Sequence, residues 1–289
     1  MSKYLINIII ILVAWLAGGP ASANALRYEA PLHESSWQVS ASPLVCRLRH
    51  EIGFYGNAEF VRYAGREIYL SVHVDQGGPR SGKAQLRARP AAWQHGAQER
   101  NFGSVRYLGG RDPFRFSRTQ VRRILASLEQ GMLPALHYHS VLSGVKEVEV
   151  VLSAVKFRDG LADFRTCMAG LIPVDYKSAS DSHILFSTAD NKLDSKARAR
   201  LDAIAAFVAN DPEIKQVSIE GYSDNIGTRG ENYALSRERA VAVREYLLER
   251  KVPEGMLRFD YYGEHKPAQP NRSAKGRAAN RRVEVQLHK

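Results

Sequence analysis

The feature that most constrains this chain is a change in hydrophobic period near residue 177. Before it, apolar residues alternate singly with polar ones. Ile68, Leu70, Val72 and Val74 interleave with Tyr69, Ser71, His73 and Asp75, which predicts a half-buried strand. Gln76-Gly77-Gly78-Pro79 then reads as a turn, and Leu86 and Ala88 between Gln85, Arg87 and Arg89 as another strand. Val148 to Leu152 and Ala162-Asp163-Phe164-Arg165 read as further strands. One stretch breaks the pattern: Ser117 can cap a helix carrying Val121, Ile124, Leu125 and Leu128 on one face, stopped by Gly131. After residue 177 short strand runs (Ile184-Leu185-Phe186, Val217-Ser218-Ile219, Leu257-Arg258-Phe259) alternate with helical patterns. One helix is capped at Asp194 or Ser195; a second carries Ala240, Val243 and Leu247. Val283, Val285 and Leu287 form a closing strand. The expected class is α+β: an antiparallel β-rich half with one main helix, then a mixed sheet with helices on one face. The expected divisions are 1–23, 24–176 and 177–289, with Asp175 to Ser182 as the connector.

The first 23 residues read as an export signal. Lys3 precedes an apolar run from Leu5 to Ala17, too short for a span of about 20 residues, and Gly18-Gly19-Pro20 breaks it. Ala21-Ser22-Ala23 and Ala23-Asn24-Ala25 both suit signal cleavage, so the cut falls after 23 or after 25; no transmembrane segment is expected beyond it. Export changes the meaning of the net charge of +11. A basic exported protein meets anionic wall, lipid headgroups or acidic protein faces rather than nucleic acid. An oxidising compartment also permits the two cysteines, Cys46 and Cys167, to form a disulfide, the alternative being two buried thiols.

The chain lacks HExxH, GxSxG, a Walker loop and GxGxxG. His137-Tyr138-His139 could present two imidazoles on one strand face, but surface histidines explain it better than a metal. No enzyme activity, cofactor or metal is expected.

The motifs that carry function lie in the second half. Gly221-Tyr222-Ser223-Asp224 follows a strand. Asn232, Leu235, Ser236, Arg239 and Ala240 open the next helix, and Asn280-Arg281-Arg282-Val283-Glu284 stands near the end. These resemble the OmpA-like peptidoglycan-binding domain over roughly residues 180–289. Ser223 replaces the commoner threonine, and Glu231 stands where a tyrosine is usual. The free end of diaminopimelate in a wall stem peptide is zwitterionic: an ammonium needs a carboxylate, and a carboxylate suits a guanidinium fork. The resemblance implies that Asp224 takes the ammonium and Arg239 the carboxylate, with Asn232 and Leu235 shaping the pocket and Arg282 near it.

In the first half, Pro43-Leu44-Val45-Cys46-Arg47-Leu48, Gly56-Asn57-Ala58-Glu59-Phe60, Leu128-Glu129-Gln130-Gly131, Leu152-Ser153 and Phe164-Arg165-Thr166-Cys167 are similar to the MotY family of sodium-type flagellar motor proteins. That resemblance implies a periplasmic ring component of the flagellar basal body. Its first domain would join the ring and recruit stator units, with MotX among the candidate partners, while its second anchors them to the wall. The alternative is a general envelope tether that uses the same anchor for another complex.

Overall fold

A computed structural model describes residues 25–75, 79–139 and 147–289; the expected export signal and all but Pro79 of the expected turn at 76–79 lie outside them. In chain order the elements of the first half are β1 (Ala25–Tyr28), β2 (Gln38–Ala41), β3 (Val45–Ile52), β4 (Gly56–Tyr63), β5 (Tyr69–Val74), β6 (Gly82–Arg89), β7 (Arg100–Tyr107), β8 (Phe114–Arg115), α1 (Arg118–Glu129), β9 (Leu133–His139), β10 (Glu147–Val151) and α2 (Phe157–Ala169). The second half holds α3 (Tyr176–Ser180), β11 (Asp181–Leu185), α4 (Ser195–Asn210), β12 (Gln216–Gly221), α5 (Arg229–Glu249), β13 (Leu257–Tyr261), α6 (Ala274–Asn280) and β14 (Arg282–His288).

Two sheets build the first half, one ordered β1-β10-β9-β6-β7-β8 and the other β2-β3-β4-β5. All pairings are antiparallel except β1 with β10. The period-two reading of β5 holds, with Leu70, Val72 and Val74 buried. Helix α1 begins at the expected serine: Ser117 and Gln120 form a reciprocal capping box. One core joins the inner faces of both sheets to α1 and α2, centred on Trp37, Phe60 and Phe157.

The segment 162–165, read as a strand, is instead the middle of α2. Phe157, Leu161 and Phe164 recur at helical spacing and are buried, which outweighs the two-residue alternation inside them. Gly160 makes the placement possible. A Cβ there would lie 2.8 Å from Trp37 Cβ and 2.9 Å from Leu48 Cδ1, so the helix sits directly on the core. The same helix carries Cys167 to Cys46 on β3. The two form the disulfide, their Cα atoms 5.9 Å apart across 121 residues of sequence.

In the second half β11-β14-β12-β13 form a mixed sheet, parallel only between β12 and β13. Helix α4 stops at Asn210, and α5 ends before Pro253. The connector is structured: α3 is capped by Asp175, and its Ala179 is fully buried. Ile172, Val174 and Tyr176 pack with this second core, together with Leu44 and Ala64 from the first half. Gly65, at φ +63°, lies so close to Val174 and Asp175 that a Cβ would fall 2.2 Å from the Asp175 nitrogen. Arg66 pairs with Asp175 at 3.1 Å across the same seam.

Candidate functional site

The site forms where β12 ends and α5 begins. Gly221 lets them meet, because a Cβ there would be 2.1 Å from the Ser236 carbonyl oxygen. Thr228 caps α5, and Glu231 closes a capping box by accepting from the Thr228 N–H at 2.7 Å. The glutamate that departs from the usual tyrosine therefore serves the helix terminus.

Asp224, 6% exposed, sits on the turn that follows. Its Oδ1 accepts from the Ile226 N–H at 3.1 Å, and its Oδ2 accepts from Arg281 Nη1 at 2.9 Å. Arg239 projects from α5 into the interior and is fully buried. Its Nε donates to the Asp190 carbonyl (2.9 Å), Nη1 to that of Tyr222 (3.2 Å) and Nη2 to that of Ser187 (3.0 Å). The guanidinium also lies over the Phe186 ring at 5.3 Å. Burial pushes its pKa down to about 10, against the pull of Asp224, so it stays charged at neutral pH. Five N–H donors meet three carbonyls, which leaves two for another acceptor. The turn over it holds Ala189 at φ +51°, the left-handed region.

Asn232 is buried and donates from Nδ2 to Glu264 Oε2 at 2.9 Å. Leu235 is half-buried on the same helix. Ser223 Oγ is buried without a hydrogen-bond partner among the described residues. Arg282 makes no hydrogen bond to Asp224 or Arg239 among the described residues, but it packs on Tyr222, whose carbonyl accepts from Arg239. Its guanidinium stacks 3.9 Å over Tyr222, its Nε donates to Glu284 at 2.6 Å, and its Nη2 donates to the Lys266 carbonyl. The structure thus brings Asp224 and Arg239 into one electrostatic neighbourhood without a direct ion pair, and the ion-pair partner of Asp224 is Arg281. Arg281, given no role by the sequence motif, caps α6 one position before β14 and turns its guanidinium to Asp224, while that of Arg282 stacks on Tyr222.

Ser236, named in the motif without a role, is fully buried and ties α5 to the loop after β13. Its Oγ accepts from the Gly263 N–H at 2.9 Å. Asn280 stitches the turn before α6, donating to the Gln269 carbonyl at 2.7 Å and accepting from its N–H at 3.0 Å. His137 and His139 do not form part of any cluster of three or more metal-ligating side chains among the described residues.

Residues 28–173, half of the chain, match the family model of the MotY N-terminal domain. The chain belongs to the MotY family. Residues 185–281 match the OmpA family. This MotY-family chain is 27% identical to the sodium-type flagellar protein MotY of Vibrio parahaemolyticus, over 99% of its own length and 98% of that protein's. Its OmpA-family half is 38% identical over 93 residues to the peptidoglycan-associated lipoprotein of Rhizobium meliloti, covering 32% of this chain and 52% of that one. Among solved structures, the C-terminal domain of Helicobacter pylori MotB is 25% identical, with 37% of this chain and 84% of that one covered at a TM-score of 0.35. No helix among the described residues is long and apolar enough to cross a membrane.

Proposed function

We propose that this MotY-family chain is a non-enzymatic, periplasmic component of the flagellar basal body. Its second half grips the peptidoglycan stem peptide, and its first half docks on the motor and recruits or stabilises stator units. The observation that carries the reading is the union, in one chain, of a MotY N-terminal domain with an OmpA-family domain that holds Asp224 beside a buried Arg239. The relatives named for peptidoglycan association and for the flagellum support the two halves separately.

In this reading Asp224 receives the ammonium of diaminopimelate, which displaces or joins the Arg281 guanidinium. The two spare N–H groups of Arg239 meet the carboxylate once the turn at 187–190 moves aside. Asn232 and Leu235 form the wall, and Ser223 Oγ supplies a further hydrogen bond. Arg282 supports the pocket through Tyr222. A stator delivers torque only if something holds it still, so a wall grip and a motor-docking surface belong in one chain.

The test is co-sedimentation of the purified mature chain with peptidoglycan. Asp224→Ala should weaken it by ~1.5–3 kcal/mol, roughly 10- to 150-fold, the scale of a hydrogen bond to a charged group. Retention at the original strength by the folded variant would remove Asp224 from the site.

A further inference from the structure

The six-stranded sheet turns one face inward to the core and leaves the other open. On the open face Lys83 of β6 pairs in register with Arg106 of β7, and Arg106 pairs with Arg115 of β8. All three side chains are exposed. Three cations therefore stand on adjacent strands, spaced by about 4.8 Å. Like charges directly opposite each other destabilise a sheet, and no carboxylate among the described residues pairs with them to offset this. None of the three forms an ion pair among the described residues. The nearby acid, Asp112, offers Arg115 only its carbonyl, while its carboxylate takes Ser71 and His73. Farther along the same face the arrangement is the ordinary one: Glu149 sits between Arg27 and Arg89, and Arg87 faces Glu99. The first half as a whole has 20 basic against 14 acidic residues from Asn24 to Tyr176, so the row lies within a field of its own sign.

We infer that the Lys83–Arg106–Arg115 row is the docking surface of the first half, and that its occupant is a protein partner presenting a row of carboxylates. This deepens the motor-docking reading above and rests on it. The spacing selects the partner's form. Acidic residues three or four apart on a helix lie about 5–6 Å apart, close to the strand spacing, so an acidic helical stripe can meet the row rung by rung. Two of the three cations are arginines, whose planar forks take carboxylates bidentately. The adjoining row is Gln85 opposite Ser104, both exposed, which offers an amide and a hydroxyl where an interfacial protein would insert apolar side chains into lipid.

The test uses the purified mature chain and an alanine-rich helical peptide with glutamate at every fourth position. The row variant Lys83→Glu, Arg106→Glu, Arg115→Glu should lose at least about tenfold in affinity. A control with the same charge change at exposed sites of the second half, Lys177→Glu, Lys196→Glu, Lys251→Glu, should stay within about twofold, because those charges lie outside the contact. The glutamine triple variant at the row should also lose binding yet melt higher than wild type, since neutralisation relieves the repulsion; it guards against misfolding of the glutamate form. In cells, a fluorescent fusion of the row variant should lose its focus at the flagellar base while still co-sedimenting with peptidoglycan. Equal peptide binding by the row and control variants would overturn the inference, as would a retained focus in the row variant. Tighter, row-dependent binding to phosphatidylglycerol vesicles than to the peptide would assign the surface to lipid instead and would also overturn it. Should the wild-type fusion itself form no focus, the motor-docking reading fails, and the peptide and vesicle arms still decide the chemistry of the row.

Discussion

The two halves of this chain treat their interiors differently. Among the described residues, the first buries no arginine, lysine or carboxylate. Its hidden polar side chains are Ser35, His50, Asn57, Ser127 and Ser153, set among Trp37, Phe60 and Phe157, and a disulfide staples its ends. The second half buries Arg239, Arg282 and Asp224 and has no disulfide. Burying a charge is unfavourable unless it is well paired. The second half thus keeps the charges of the proposed pocket inside the fold, while the first keeps its interior largely apolar and carries its unbalanced charge on the surface. A half of the first kind is damaged by loosening its core. A half of the second kind is damaged by removing a single polar group.

The largest effect that sharpens this contrast is expected at Arg239. Arg239→Ala leaves three backbone carbonyls without their donor and removes a cation from the neighbourhood of Asp224, which keeps Arg281. It should destabilise the second half by about 3–5 kcal/mol. Beyond the first 23 residues the two tryptophans, Trp37 and Trp93, both lie in the first half, so in a chain starting at residue 24 their fluorescence follows that half alone. Hydrogen exchange in α5 and β12 follows the other. Protection there should fall while the tryptophan-reported transition holds. Loss of wall binding by this variant then reports folding as well as contact, so Asp224 is the cleaner probe of the ligand.

Next in size is the disulfide. Replacing both cysteines by serine should lower the stability of the first half by about 2–4 kcal/mol, since the bridge constrains a long loop in the unfolded chain. The tryptophan-reported midpoint in urea should drop, and exchange in α5 should not. An equal drop in both halves would mean that the seam at Gly65 and Ala64 makes the chain one cooperative unit.

The smallest effect concerns pH. His50 is buried against Trp37, with ring centroids 4.7 Å apart. Nδ1 lies 2.9 Å from the Ser36 carbonyl, and Nε2 lies 3.4 Å from the Ser153 N–H. Only the neutral ring can donate at one nitrogen and accept at the other. Burial lowers its pKa, against the Ser36 carbonyl and the more distant Glu51 and Glu29. The unfolded chain therefore binds the proton more readily than the folded one. The stabilisation is complete above the ordinary histidine value of about 6.5 and is lost as pH falls below it, by at most about 1.4 kcal/mol per pH unit. A urea series monitored by tryptophan fluorescence should show that slope, and His50→Gln should flatten it.

The sequence made much of this legible for local reasons. Caps announced themselves at Ser117 and Asp194, and alternation revealed the faces of β5 and β14. Helix α2 was hidden because its start has no side-chain cap: Lys156 enters it at φ +55°. Its decisive residue, Gly160, reveals its purpose only against Trp37 and Leu48, which are distant in sequence. The connector looked like a linker because Lys177-Ser178-Ala179-Ser180 is short and polar, yet one alanine fills a hole in the second core. At the site, Asp224 and Arg239 could be read from their motifs. The pairing of Arg281 with Asp224 could not, since it depends on where the turn between α6 and β14 places that side chain.

The division of labour between the halves is tested most directly by imaging and swimming assays of one full-length variant. A fluorescent Asp224→Ala chain, shown by tryptophan fluorescence and hydrogen exchange to be folded, replaces the wild type in its own organism. With the first half intact, its focus at the flagellar base should persist. Swimming should be reduced, because stators there lack this attachment to the wall. Diffuse fluorescence of the folded variant would place the docking determinant in the second half. Undiminished swimming, together with lost peptidoglycan binding, would contradict the anchoring role.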